Sequence, residues 1–347
     1  MVKISNVRHS TAVWKFSTIK VNGMWYTRWR VMLKMLNVEN RCAIFSRLVS
    51  SLALTAFITS FSLSFVSNAN ADQLLEMRES SYNNIYIYKR GSILTMTFGH
   101  NKRLYVESEY NQDNERELPV VYTRYMTVGL AYAKAIDSLL EIGLGGGRTS
   151  WYIHKTLPNT TITTVELDPE VISLAKKYFG IWEENNFNIV ARDGRMYLTR
   201  NTKQYDVILI DAYRGPFVPF HLLTKEFYSL VKSKLKPGGV VVQNIEPSTM
   251  LFDAAIVTIK SVFNNIDLFE AGGNVVTVAY DGPMRSNQEL AQKASNLQKK
   301  YKFFHNLGDM IGERKVLSHL PSGKPLTDDF APVEYLKGIK RHNEKWN

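Results

Sequence analysis

Four glycines, Gly143, Gly145, Gly146 and Gly147, stand in LLEIGLGGGRTS, between an apolar strand pattern and a helical one. Glycine at such a turn lets the backbone fold tightly and approach a ligand, as in a nucleotide-binding first strand-to-helix connection. The spacing is not Gly-x-Gly-x-x-Gly, because Arg148 stands where the third glycine would be, and this argues against a dinucleotide pyrophosphate. The next strand pattern ends in VELD and sets Glu166 where a carboxylate can accept both hydroxyls of a ribose. ARDG then places Asp193 and Gly194 at a third strand end, suited to an adenine amino group. Glycine turn, ribose acid and third acid, in that order, point to a bound nucleoside. Asp211 ends a fourth strand pattern, YDVILID, where it either caps the following turn or belongs to the site.

The elements around these residues fall into distinct textures. From Glu79 to Tyr110, the runs YNNIYIYKRG, SILTMTFGH and KRLYVESEY alternate aromatic or β-branched with polar residues, which predicts a small antiparallel β domain over 72–118. VVYTRYMTVGLAYAKA has helical spacing. Strands then alternate with helices over 119–285, among them the helix patterns RTSWYIHKTL, PEVISLAKKYFG and TKEFYSLVKSKLK, the last stopped by PGG. That alternation predicts an α/β, Rossmann-like fold with a mostly parallel, doubly wound sheet. Residues 286–347 read as a helix followed by loops.

The chain has 347 residues, 45% hydrophobic and 22% charged, which excludes a disordered, collagen-like or multi-span membrane protein. A single cysteine excludes a disulfide framework or a thiolate metal site, and no metal is expected. The net charge of +11 is mostly local: residues 1–71 hold nine Lys/Arg against one acid, Glu39, and account for eight of those charges. The small excess on the rest does not call for a nucleic-acid partner. Between Leu48 and Val66 lie 19 residues without a charge, preceded by Arg41 and Arg47 and followed by Ala69-Asn70-Ala71. That order predicts a signal peptide cleaved after Ala71, or else an N-terminal anchor. Export or anchoring would confine membrane contact to this segment; a start at Met32 or Met35 would shorten its basic flank, and a mis-assigned start would leave the protein cytoplasmic.

Beyond these patterns, the sequence resembles the S-adenosylmethionine-type Rossmann enzymes, and among them the spermidine synthase (polyamine aminopropyltransferase) family. Glu79-Ser80-Ser81-Tyr82-Asn83 is similar to its Glu-Ser-x-Tyr-Gln segment, and YTRYM, Tyr122 to Met126, to the tyrosine segment before the nucleotide fold. IDAYRGP stands where the family has Asp-Ser-Ser-Asp-Pro. GLGGG, DAYRGPFVPFHLLTKEFY, LKPGGVVVQN and LTDDFAPVE resemble the bacterial spermidine synthase-like branch. The resemblance implies aminopropyl transfer from decarboxylated S-adenosylmethionine to a small amine, with no metal and in a homodimer or homotetramer. It implies that Asn83, the glycines and Glu166 bind the nucleoside. It makes Asp211 the carboxylate that accepts the amine's proton, needed because an amine with a pKa near 10.4 is protonated at neutral pH. Tyr82 and Tyr122 would wall the methylenes of the amine.

Two positions depart from the family pattern. Gly146 stands where the family has an aspartate that holds the aminopropyl amine, and Arg214 where its second Asp-Ser-Ser-Asp acid grips the acceptor. A cation about 4 Å from an ammonium, at an effective dielectric near 20, costs about 4 kcal/mol, so an inward-pointing Arg214 excludes a di- or triamine. Asp328 and Asp329 are candidates to replace the missing acids, and are equally placed to cap a turn. Two other readings stay open: methyl transfer from S-adenosylmethionine, with Arg148 or Arg214 on its carboxylate, and a non-catalytic nucleoside- or polyamine-binding protein of the envelope.

Overall fold

The computed structural model describes residues 4–9, 12–21, 24–32 and 72–329, apart from 101–102, 216, 250 and 318. The apolar run 48–66, the expected cleavage after Ala71 and the tail from 330 onward lie outside the described residues. The chain divides into two units, Met1–Ala69 and Asn70–Asn347. In the first, β1 (Ile4–His9), β2 (Ala12–Val21) and β3 (Met24–Met32) form an antiparallel sheet that the sequence reading did not anticipate.

In the second unit, β4 (Gln73–Glu79), β5 (Asn84–Arg90), β6 (Ile93–His100) and β7 (Arg103–Asn111) make a four-stranded antiparallel meander. Strands β5 to β7 are the three expected ones. β4 escaped notice because QLLEMRE does not alternate cleanly, and its register shifts between Leu74 and Glu76. The inward residues Ile85, Ile87, Leu94 and Met96 pack on Val171, Leu174 and Phe179 at the helix Pro169–Tyr178, so the meander is anchored on the larger fold by apolar burial.

That larger fold is an eight-stranded sheet. β8 (Ser138–Ile142), β9 (Thr161–Glu166), β10 (Phe187–Ala191), β11 (Tyr205–Ile210) and β12 (Leu235–Ile245) are parallel, in the order β10-β9-β8-β11-β12. β13 (Asn265–Ala271), β14 (Asn274–Tyr280) and β15 (Lys315–Val316) extend it antiparallel from β12. One hydrophobic cluster lies on each face, as the near-continuous apolar runs SLLEI and YDVILI require. The chain leaves β8 toward β9 on one side and later returns to β11 on the other, opening a crevice at the carboxyl ends of β8 and β11.

Local differences from the sequence reading have identifiable causes. The segment expected as one helix is split into Val121–Tyr125, a 3-10 turn Met126–Val128, and Gly129–Tyr132. Within it the Thr123 and Thr127 hydroxyls donate to the Val120 and Arg124 carbonyls at 2.5 and 2.7 Å, back-bonding that disturbs regular helix. β12 runs through Pro237 and Gly238 instead of starting after them, with a register shift against β11 between Tyr205 and Val207. The unanticipated helix Gly194–Arg200 starts at Asp193, whose carboxylate accepts from the Met196 N–H at 2.9 Å.

The C-terminal elements are tied to the sheet by charge as well as packing. Arg314, next to β15, lies 2.9 Å from Asp267 of β13, and both side chains are almost fully buried. Removing one member of such a pair strands the other charge out of water. We expect Asp267→Ala to cost about 3–5 kcal/mol and lower the thermal midpoint by roughly 10 °C in a melting experiment; an unchanged midpoint would show that water already solvates the pair.

Candidate active site

A cavity of about 680 Å³ opens at the crevice between β8 and β11. Its wall includes Gly143, Gly145, Glu166, Asp193, Gly194 and Asp211 from the carboxyl ends of the parallel strands, so the site residues expected from four separated stretches converge there. Gly143 is required by crowding: a Cβ at this position would sit 2.2 Å from the Asp211 carbonyl oxygen, and φ is +92°. The Asp211 N–H donates to the Ile142 carbonyl at 2.8 Å, which closes the two strand ends on each other.

Glu166 organises the glycine turn. Its carboxylate accepts from the backbone N–H of Leu144 and of Asp168, each at 2.9 Å, and remains on the cavity wall with lone pairs to spare for a sugar hydroxyl. Burial nevertheless raises its pKa above the ordinary carboxylate value. Asp168 caps the next helix through the Glu170 N–H at 2.9 Å and accepts from the Ser80 hydroxyl. Ser80 Oγ in turn accepts from the N–H groups of Tyr82 and Asn83 at 3.0 and 2.9 Å, holding both residues at the cavity rim.

Asp211 is held from two sides. The Asn244 amide on β12 donates to it at 2.9 Å, and the Tyr122 hydroxyl also hydrogen-bonds to it. Asn274 on β14 donates to Asn244 Oδ1 at 2.9 Å and thereby fixes which end of that amide faces Asp211. Burial pushes Asp211 up to about 6 against the pull of these two donors. A carboxylate at that value is ionised at neutral pH and basic enough to take a proton from a reacting group.

Four sequence-expected residues lie outside the cavity wall. Gly146 and Gly147 face the packing: a Cβ on Gly146 would meet Phe179 at 2.6 Å and Ser108 at 2.8 Å, and one on Gly147 would meet Ile181 at 2.4 Å. Asp328 cannot substitute for a missing acid, because Arg195 engages its carboxylate at 2.8 and 2.5 Å, and exposed Asp329 does not reach the cavity. Arg148 does line the cavity, but both of its terminal guanidinium nitrogens are committed to the backbone. Its guanidinium donates to the Phe179 and Glu115 carbonyls at 2.8 and 2.6 Å and stacks 4.1 Å over Tyr110. Asp193 lines the cavity as expected, but it is shared with the helix cap and with His221 at 2.9 Å. Arg214 lines the mouth and is exposed, so solvent screens its charge far below the 4 kcal/mol of the sequence argument.

Sequence reasoning missed Glu107, Tyr213 and Asn244. Glu107 and Tyr213 both line the cavity. Burial, together with the charges of Asp211 and Glu166, drives Glu107 well above the usual carboxylate range. The signal for Asn244 was present in LKPGGVVVQN, where an amide ends a fully apolar strand. No signal identified Glu107, because strict alternation in YVESEY puts it on the same face as Tyr105 and Glu109.

Comparison with known proteins agrees with this geometry. Residues 121–272 match the family model described as the spermine/spermidine synthase domain. The polyamine aminopropyltransferase of Vibrio vulnificus is 28% identical over 276 residues, covering 76% of this chain and 91% of that protein. The polyamine aminopropyltransferase of Neisseria meningitidis serogroup B is 29% identical, covering 67% and 90%. Among solved structures, a probable spermidine synthase from Corynebacterium glutamicum superposes with a TM-score of 0.60 at 19% identity, over 74% of this chain and 97% of that one, a likeness of fold. Over residues 121–272 the chain is thus similar to the spermine/spermidine synthase domain, and over two thirds or more of its length to polyamine aminopropyltransferases.

Proposed function

We propose that this chain is an aminopropyltransferase that takes decarboxylated S-adenosylmethionine as donor, lays its nucleoside across the glycine turn with the ribose on Glu166, and transfers the aminopropyl group to a small amine with Asp211 as proton acceptor. The observation that carries the reading is the sign of the cavity: Glu107, Glu166 and Asp211 line it, while Arg148, the cation nearest the glycine turn, is held by carbonyls. A donor whose tail ends in an ammonium suits that field, and one whose tail carries a carboxylate is repelled by it. This disfavours the methyl-transfer alternative.

The reaction asks little of the protein beyond placement. Asp211 accepts a proton from the acceptor's ammonium, and the lone pair so freed attacks the methylene bound to the donor's sulfonium. A carbon–nitrogen bond forms, the carbon–sulfur bond breaks, and its electrons leave on sulfur as a neutral thioether. The product leaves as a secondary ammonium, and Asp211 returns to its carboxylate by releasing its proton to water. The leaving group gains no negative charge, so no oxyanion site is needed and the rate comes mainly from alignment and that proton transfer.

Three outcomes are expected. Asp211→Asn should lower kcat by at least about 10² while methylthioadenosine still binds, measured by mass-spectrometric detection of aminopropylated amine and by calorimetry; full turnover would remove the proton-acceptor role. For the unaltered enzyme, kcat/KM for the donor should fall as the pH drops through about 6, because Asp211 takes up its proton there and can no longer accept one. A profile flat down to pH 5 would contradict this. Arg214→Asp should tighten di- and triamine binding about three- to tenfold, the modest gain available to an exposed charge; no change would place that side chain outside the acceptor's path.

A further inference from the structure

The family's aspartate in the glycine loop has no counterpart here, and the structure shows why none would fit: Ser108 and Phe179 occupy the space beside Gly146, and Ser108 Oγ accepts the Gly146 N–H at 2.7 Å. An anchor for the donor's terminal ammonium must come from elsewhere. β7 carries an irregularity at this point. Met96 pairs with Ser108 and Thr97 with Val106, so Glu107 is an extra residue without a partner across the ladder. A bulge of this kind kinks the strand and re-aims one side chain. Here it sends Glu107 into the cavity, against the alternation that would otherwise decide its face.

We propose that Glu107 binds the ammonium at the end of the donor's aminopropyl chain, in place of the acid absent at Gly146; this rests on the donor assigned above. Three observations place it on the donor's side. Its backbone carbonyl is 3.7 Å from where a Gly145 Cβ would lie, so it borders the glycine turn. It lines the same cavity as Glu166 and Asp211 and feels the charge of both. Among the described residues no arginine, lysine or histidine is within ion-pair distance of it. An incoming ammonium would relieve the repulsion among the acids and satisfy a carboxylate that lacks a cation.

The test is calorimetry on the full-length chain with two nucleosides, decarboxylated S-adenosylmethionine and methylthioadenosine, which has no aminopropyl tail. Glu107→Gln should weaken the donor about 10- to 100-fold and leave methylthioadenosine within about twofold. Glu107→Asp, which keeps the charge on a shorter arm, should fall between. Equal losses for both nucleosides would make Glu107 merely structural, and no loss for either would exclude it; both outcomes overturn the proposal. In the unaltered chain, N-acetylated donor keeps its sulfonium but loses its ammonium, and should bind weaker by a similar factor. Equal affinity for acetylated and free donor would overturn the proposal without any variant having to fold. Failure of aminopropyl transfer by the unaltered enzyme would count against the assigned reaction, while these affinities would still decide Glu107.

Discussion

Carboxylates brought together out of water repel one another, and each must gain a proton or a cation. The crevice between β8 and β11 concentrates Glu107, Glu166 and Asp211 in this way. The fold answers the strain with neutral donors: backbone N–H groups on Glu166, an amide and a phenol on Asp211. Neutral donors can hold a carboxylate in place without discharging it. The cavity therefore keeps an unspent preference for positive charge, and much of the surrounding structure, from the capped Asp168 to the crowded Gly143, serves to keep these acids where they are.

Much of this organisation was legible in the sequence because it is local. The α/β alternation, the glycine turn and the strand-end acids Glu166, Asp193 and Asp211 follow from apolar run lengths and from what terminates them. The antiparallel meander followed from alternation in β5 to β7. What escaped depends on interactions between distant segments. β12 crosses Pro237-Gly238-Gly239 because Leu235 already pairs with Tyr205 of β11 before the regular ladder resumes at Val240. Asp328 is claimed by Arg195, more than a hundred residues away, which no reading of LTDDF alone could reveal.

The exchange of acids illustrates the same limit. A missing aspartate at Gly146 is visible in the sequence, but its consequence is not, because the space beside Gly146 is set by Ser108 and Phe179 from two other elements. Glu107 reaches the cavity only through a strand irregularity, and a single added residue flips which side chains face inward.

Asn274 stands on β14, just past the residues that match the family model, and its amide is turned toward Asn244. An amide offers a donor on one side and an acceptor on the other; left to rotate, the Asn244 group could present its oxygen to Asp211 and turn a supporting contact into a repulsive one. The β13–β14 hairpin thus reaches a carboxylate two strands away, orienting its amide partner through a side chain that does not line the cavity.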